Sequence, residues 1–116
     1  MDVQPITYGG RIVAACTGEC FLLADDLAYR PPGDPELVFV VMMCSYATDL
    51  ARGVLPGPFD DADARRYARA ALIPQELLER PALDVDHTAA ALGVPAQELR
   101  AARDEHAGWI RRRRWR

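Results

Sequence analysis

An unbroken run of apolar residues near the middle of the chain constrains the fold more than any other feature. The run covers the eight residues 37–44. Before it stands Asp34-Pro35, where Asp34 can accept hydrogen bonds from free backbone N–H groups and Pro35 suits the first helical position. Gly53 can end a helix in the left-handed conformation. We therefore predict a helix over 34–52 whose first half is apolar all round and buried on every side.

Length and charge predict one domain with a basic tail. The chain has 116 residues, half of them hydrophobic, which is enough for one small core. The net charge is −3, and five arginines fall within the last six residues, so residues 1–110 carry −8. We predict a single domain over 1–110 and a tail over 111–116 that binds a partner. The predicted partner-binding residues are Arg111, Arg112, Arg113, Arg114, Trp115 and Arg116.

The start of the chain gives no sign of export. It begins with the acidic Met1-Asp2, and no apolar segment with a small-residue cleavage site follows. The run at 37–44 is far shorter than the ~20 residues that span a bilayer. We expect a soluble, cytoplasmic protein with reduced cysteines and no membrane partner.

The remaining patterns predict an α+β fold with a short N-terminal β-hairpin. Its strands are expected at 12–14 and 20–24, joined by a loop at 17–19, and a loop is expected over 25–33. Asp60-Asp61 opens the next helix, where an apolar stripe places Arg65, Arg66 and Arg69 towards water. The stripe consists of Ala64, Tyr67, Ala68, Ala71 and Leu72. Further helices are predicted at 75–80, at 85–92 between Asp84 and Gly93, and from Pro95 to about His106.

Two segments carry a resemblance to a known family. Residues 61–74, DADARRYARAALIP, combine an acidic start, an aromatic residue and a Leu-Ile-Pro ending, and residues 84–95, DVDHTAAALGVP, follow at a similar spacing. In their order they resemble the ImmA/IrrE metallopeptidase-like family. The resemblance implies a zincin-like helical core, a short N-terminal hairpin and a C-terminal helical unit of helix-turn-helix type.

The zinc chemistry of that family needs residues that this chain lacks. Two histidines at i and i+4 of His-Glu-x-x-His bind zinc, and the glutamate activates the bound water. Aligning the central helix on Phe39 puts Met43, Cys44 and Ala47 at these positions, and aligning it on Gly53 puts Ser45, Tyr46 and Asp49 there. Residues 1–86 contain no histidine, and His87 and His106 are nineteen positions apart. Asp61 or Asp63 matches the third-ligand region. We predict a non-catalytic relative with no metal cofactor.

The resemblance implies a repressor-like protein as the partner, because the genes of family members often lie beside those of phage or mobile-element repressors. The use of arginine without lysine is typical of a GC-rich bacterial genome. A second hypothesis is nucleic-acid binding through the arginine tail and the C-terminal helical unit. A third is a divergent hydrolase built on acidic residues, for which the candidates are Asp25, Asp26, Asp49, Asp61 and Asp63.

Two further patterns have both a functional and a structural interpretation. Cys16, Cys20 and Cys44 are candidates for a thiolate metal site or a Cys16–Cys20 redox pair, but three small buried hydrophobes are favoured. Thr88-Ala89 with Gly93-Val94 resembles the turn of a helix-turn-helix. Residues 84–106 hold five acids against two arginines, which opposes contact with phosphates. A helical cap on the core is therefore favoured there.

Overall fold

The computed structural model describes the backbone of residues 3–114 and the side chains of residues 3–111. Within that part of the chain the fold is α+β, as predicted, with one antiparallel sheet and six helices. The strands are β1 (Gln4–Tyr8), β2 (Arg11–Cys16) and β3 (Phe21–Leu23). The helices are α1 (Asp25–Ala28), α2 (Pro35–Ala51), α3 (Asp61–Leu72), α4 (Gln75–Leu78), α5 (Val85–Leu92) and α6 (Ala96–Arg114).

The sheet has three strands in the order β1-β2-β3, so the predicted two-stranded hairpin was incomplete. Strand β1 was missed because Pro5 interrupts its pattern. Proline is tolerated here because β1 is an edge strand that pairs only with β2. The turn between them uses Gly9 and Gly10 at φ +64° and +80°, values that suit a two-residue hairpin. A bulge between Ile6 and Thr7 shifts the register. The predicted loop over 25–33 also contains α1.

Helix α2 begins and ends close to the predicted positions. Asp34 accepts a hydrogen bond from the Leu37 N–H at 3.1 Å, and Gly53 takes φ +75° just past the end. Phe39, Val40 and Met43 are fully buried between the sheet and α3.

The prediction that the first half of α2 is buried on every side was wrong. Val38, Val41 and Met42 are only half-buried. The sheet and α3 cover two sides of the helix, and on the remaining side only the four-residue α1 adds a small contact.

Helix α3 confirms part of its predicted stripe. Ala64 and Ala68 are fully buried, but Ala71 is exposed. The prediction for Arg69 was wrong, since it is 8% exposed. Helix α6 packs against this flank of α3 and covers the guanidinium.

The C-terminal helices surround a second, smaller core. Its buried members are Ile73, Ala89, Val94, Leu99 and Ala102. Asp84 accepts from the His87 N–H at 3.1 Å to begin α5, and Gly93 ends it at φ +74°, as predicted. Helix α6 begins where expected but continues to Arg114 rather than ending near His106. None of the helices in residues 3–114 is long and apolar enough to cross a membrane.

Candidate functional site

A groove of about 920 Å³ runs between α3, α4 and the C-terminal half of α6. Its lining is mixed: Ile73 and Leu78 are apolar, whereas Glu76 and Asp104 are charged. Trp109 of α6 borders the groove and is 45% exposed. The volume matches that of clefts that bind ligands or peptide segments.

A buried polar network lies beside the groove and joins the sheet to α3 and α6. Arg69 donates from Nη1 to Glu98 Oε1 and from Nη2 to Glu105 Oε1, each at 3.0 Å. Tyr8 OH donates to Glu98 Oε2 at 2.8 Å and accepts from Gln97 Nε2 at 2.9 Å. The side chains of Arg69 and Glu98 are only 10% and 7% exposed. The network therefore fixes the relative position of the two walls of the groove.

Burial and the neighbouring Glu98 carboxylate raise the pKa of Tyr8 well above its usual value. The hydroxyl consequently stays protonated and keeps donating to Glu98. The sequence pattern gave no sign of this network, because Arg69 is 29 residues from Glu98 and Tyr8 is 90 residues from it. The only feature of the local sequence that indicated burial of Arg69 was its position next to Ala68, at the edge of the apolar stripe of α3.

The aromatic wall of the groove is formed by two residues of α6. The rings of His106 and Trp109 stack with centroids 6.2 Å apart and an interplanar angle of 25°. His106 Nε2 is buried and has no hydrogen-bond partner among the described residues. The imidazole and the indole therefore lie side by side at the groove, one helical turn apart on α6. Trp109 was not among the predicted partner-binding residues, although it precedes them by two positions.

The predicted tail is partly a continuation of α6. The helical backbone includes Arg111 to Arg114, and the Arg111 side chain is exposed. The side chains of Arg112–Arg114, and the whole of Trp115 and Arg116, lie outside the described residues. The basic run thus starts directly after the groove, on the same helix as Trp109.

The positions aligned with the family's zinc ligands have other roles. In the first alignment, Met43 and Cys44 are fully buried and Ala47 is 4% exposed, all within the core of α2. In the second alignment, the Ser45 hydroxyl donates to the Val41 carbonyl at 3.2 Å. Tyr46 lies 5.3 Å from Tyr67 between ring centroids. The first set lies in the core, whereas Ser45 and Asp49 of the second set line a shallow cleft of about 440 Å³ together with Cys20 and Arg52.

Three of the five candidate carboxylates, those of Asp26, Asp61 and Asp63, have separate hydrogen-bond partners. Thr7 Oγ1 donates to Asp61 Oδ2, and Arg66 pairs with Asp63, each at 2.8 Å. Asp26 of α1 pairs with Arg11 of β2. Across residues 3–111, no three histidine, cysteine, aspartate or glutamate side chains are grouped so that they could hold a metal ion.

The three cysteines are free thiols in different surroundings. Cys16 and Cys44 are buried, as expected for small hydrophobes, and they lie within hydrogen-bond reach of each other. This hydrogen bond with Cys16, together with burial, raises the pKa of Cys44. Cys20 is exposed, so that interpretation was wrong for it. The structure does not bring Cys20 and Cys16 into a shared site, because one thiol faces solvent and the other faces the core.

Comparisons with protein-family models, with curated proteins and with solved structures find no match for the chain. The resemblance to the ImmA/IrrE family therefore depends on the two short segments 61–74 and 84–95.

Proposed function

We propose that the chain is a non-catalytic regulatory protein that binds a protein partner along α6, at the groove and at the arginine run that follows it. The observation that carries this proposal is the position of Trp109. It is 45% exposed, borders a groove of about 920 Å³, and lies two residues before Arg111. Tryptophan and arginine are the residues that most often dominate binding energy at protein interfaces.

The groove has the mixed character of a protein interface. Apolar side chains such as Ile73 and Leu78 line it together with Glu76 and Asp104. An apolar centre with a polar rim is the usual arrangement at such surfaces. The network of Arg69 and Glu98 holds the two walls in place before binding, which lowers the ordering cost of association.

The non-catalytic part of the proposal is supported by α2. In the alignment on Phe39, Met43, Cys44 and Ala47 are packed in the core at the positions where a peptidase of the resembled family needs zinc ligands facing a cleft. In the alignment on Gly53, those positions hold Ser45, Tyr46 and Asp49, none of which is a histidine. A helix filled in this way stabilises the domain instead of serving catalysis. The repressor-like identity of the partner follows only from the resemblance. Because the arginine run is basic, we expect the partner surface that contacts it to be acidic.

Affinity capture with three forms of the protein tests the proposal. Wild type, Trp109→Ala and Tyr29→Ala are immobilised and exposed to a host extract, and the retained proteins are identified by mass spectrometry. Tyr29 is a matched control because it is exposed, at 89%, and lies far along the chain from α6. The affinity of any protein retained by wild type is then measured after purification.

We expect Trp109→Ala to weaken binding of the purified partner by about 30-fold or more, since a hot-spot aromatic contributes about 2 kcal/mol. Tyr29→Ala should bind like wild type. Equal binding by all three proteins would show that the interface lies elsewhere.

Nucleic-acid binding is a second candidate, favoured by the continuation of α6 through Arg114. A regular helix ending in arginines can approach a phosphate backbone, although residues 1–110 carry −8 and oppose this contact. Titration of a fluorescent 20-base-pair duplex at several salt concentrations tests it. Five phosphate contacts would give a slope of log K against log salt of about −4 to −5. Tight binding at ~150 mM salt that is lost on deletion of 111–116 would favour this candidate over a protein partner.

A further inference from the structure

The outward face of the sheet is apolar where a solvent-facing sheet is normally polar. Cross-strand pairing places Ile6, Ala14 and Leu23 on one rung, which faces α2 and the core. The neighbouring rung holds Pro5, Ala15 and Leu22 and therefore faces outwards. An antiparallel sheet with one solvated face usually alternates apolar and polar residues, and here it does not.

Four positions of the paired strands form this outer face, and none of them is charged: Pro5, Ile12, Ala15 and Leu22. Val3, which precedes β1, is exposed as well, whereas Thr7 donates to Asp61 Oδ2 of α3 at 2.8 Å. Leu22 is 74% exposed, Ile12 63% and Val3 57%. Arg11, which precedes Ile12 in the chain, pairs with Tyr8 on the inner side of the sheet and donates to Asp26 of α1. Its charge is therefore engaged within the chain and directed away from this face.

We propose that two copies of this chain associate through the outer face of the sheet, with the two sheets packed face to face. An apolar face without charges is complementary to itself, so a two-fold axis can bring two of them together with no unpaired charge. Two sheets packed in this way lie about 10 Å apart, as in a β-sandwich. The interface is separate from the groove and the arginine run of α6.

The exposed area fits the requirement of a stable dimer. Taking about 150–200 Å² for a fully accessible aliphatic side chain, the exposed fractions leave on the order of 400 Å² of apolar surface on this face. A standard interface covers about 800 Å² per partner, of which about 60% is apolar. The face therefore supplies most of the apolar area that one partner needs. Edge-to-edge pairing is less suited, because the edge strand β3 has only three residues and the other edge strand, β1, contains Pro5, which has no N–H to donate.

Sedimentation velocity between about 5 and 200 μM tests the proposal on the full chain. Wild type should sediment at twice the 12.8 kDa chain mass. Leu22→Asp should raise the dimer dissociation constant at least 100-fold, because it places a charge in the centre of an apolar interface. Val54→Asp is the matched control: Val54 is 67% exposed but lies in the loop between α2 and α3. It should leave the dimer intact.

Circular dichroism and thermal unfolding verify that each variant folds, and Ile12→Asp gives the same test if Leu22→Asp does not. A dimer held by this face persists in 1 M NaCl and in Trp109→Ala. A wild type that remains monomeric at 200 μM would overturn the proposal. So would a dimer that is unaffected by Leu22→Asp and Ile12→Asp, or one that dissociates in high salt and on deletion of 111–116.

Discussion

Loss of the Arg69 guanidinium should destabilise the fold far more than loss of a neighbouring arginine. Arg69 and Arg66 both lie on α3 and both reach Glu105, at 3.0 and 3.4 Å. They differ in burial, since their side chains are 10% and 57% exposed. Arg69→Met removes the charge that balances Glu98 and leaves that carboxylate buried with Tyr8 and without a cation.

The magnitude follows from the cost of an unbalanced buried charge. Removing one partner of a buried ion pair costs about 3–5 kcal/mol, whereas an exposed pair contributes about 0–1 kcal/mol. For a domain of this size, about 3–5 kcal/mol corresponds to a fall in Tm of roughly 10–25 °C. Arg66→Met should shift Tm by only a few degrees. The double variant Arg69→Met/Glu98→Leu should recover most of the loss, because it removes the orphaned charge and fills the site with apolar atoms.

Urea unfolding followed by far-UV circular dichroism measures these differences. Equal m-values across the variants would show that the compared states are the same. If Arg69→Met and Arg66→Met prove equally mild, the network does not join the sheet to α6 as described. If the double variant is as unstable as Arg69→Met, the loss arises from packing and not from the unbalanced charge.

Three further predictions test other parts of the structure. The pKa of Tyr8 is raised in the folded state, so the stability that its protonated hydroxyl contributes is fully present below the unfolded pKa of about 10 and falls as the pH rises above that value. Tyr8→Phe should reduce this loss of stability at alkaline pH, which urea unfolding at about pH 9–11.5 measures. Val40→Asp should cost several kcal/mol because Val40 is fully buried in α2, and an unchanged Tm would contradict its place in the core. Elemental analysis of protein purified without a histidine tag should find no stoichiometric zinc, and one tightly bound zinc per chain would contradict the non-catalytic proposal.

The local signals of the sequence were sufficient for most helices. Asp34 and Asp84 cap α2 and α5, and Gly53 and Gly93 follow their ends, because capping and left-handed glycine depend only on neighbouring residues. The extent of α6 was not found, since five arginines suggested a solvated tail although arginine is a good helix former.

The parts that were missed depend on contacts between distant segments. Arg69 faces Glu98 because α6 covers that flank of α3, and no periodicity within α3 contains this information. Strand β1 is stabilised by pairing with β2, which outweighs the poor strand propensity of Pro5. Trp109 was overlooked as a site residue because only the folded chain places it at the edge of a groove.

Site-specific photocrosslinking locates partner binding on α6. A photoreactive phenylalanine analogue replaces Trp109 in one protein and Tyr29, 89% exposed, in a matched protein, and each is irradiated in host extract. We predict that position 109 yields one discrete protein adduct that is absent at position 29 and is reduced by deletion of 111–116. Adducts of equal yield at both positions, or at position 29 alone, would contradict the account.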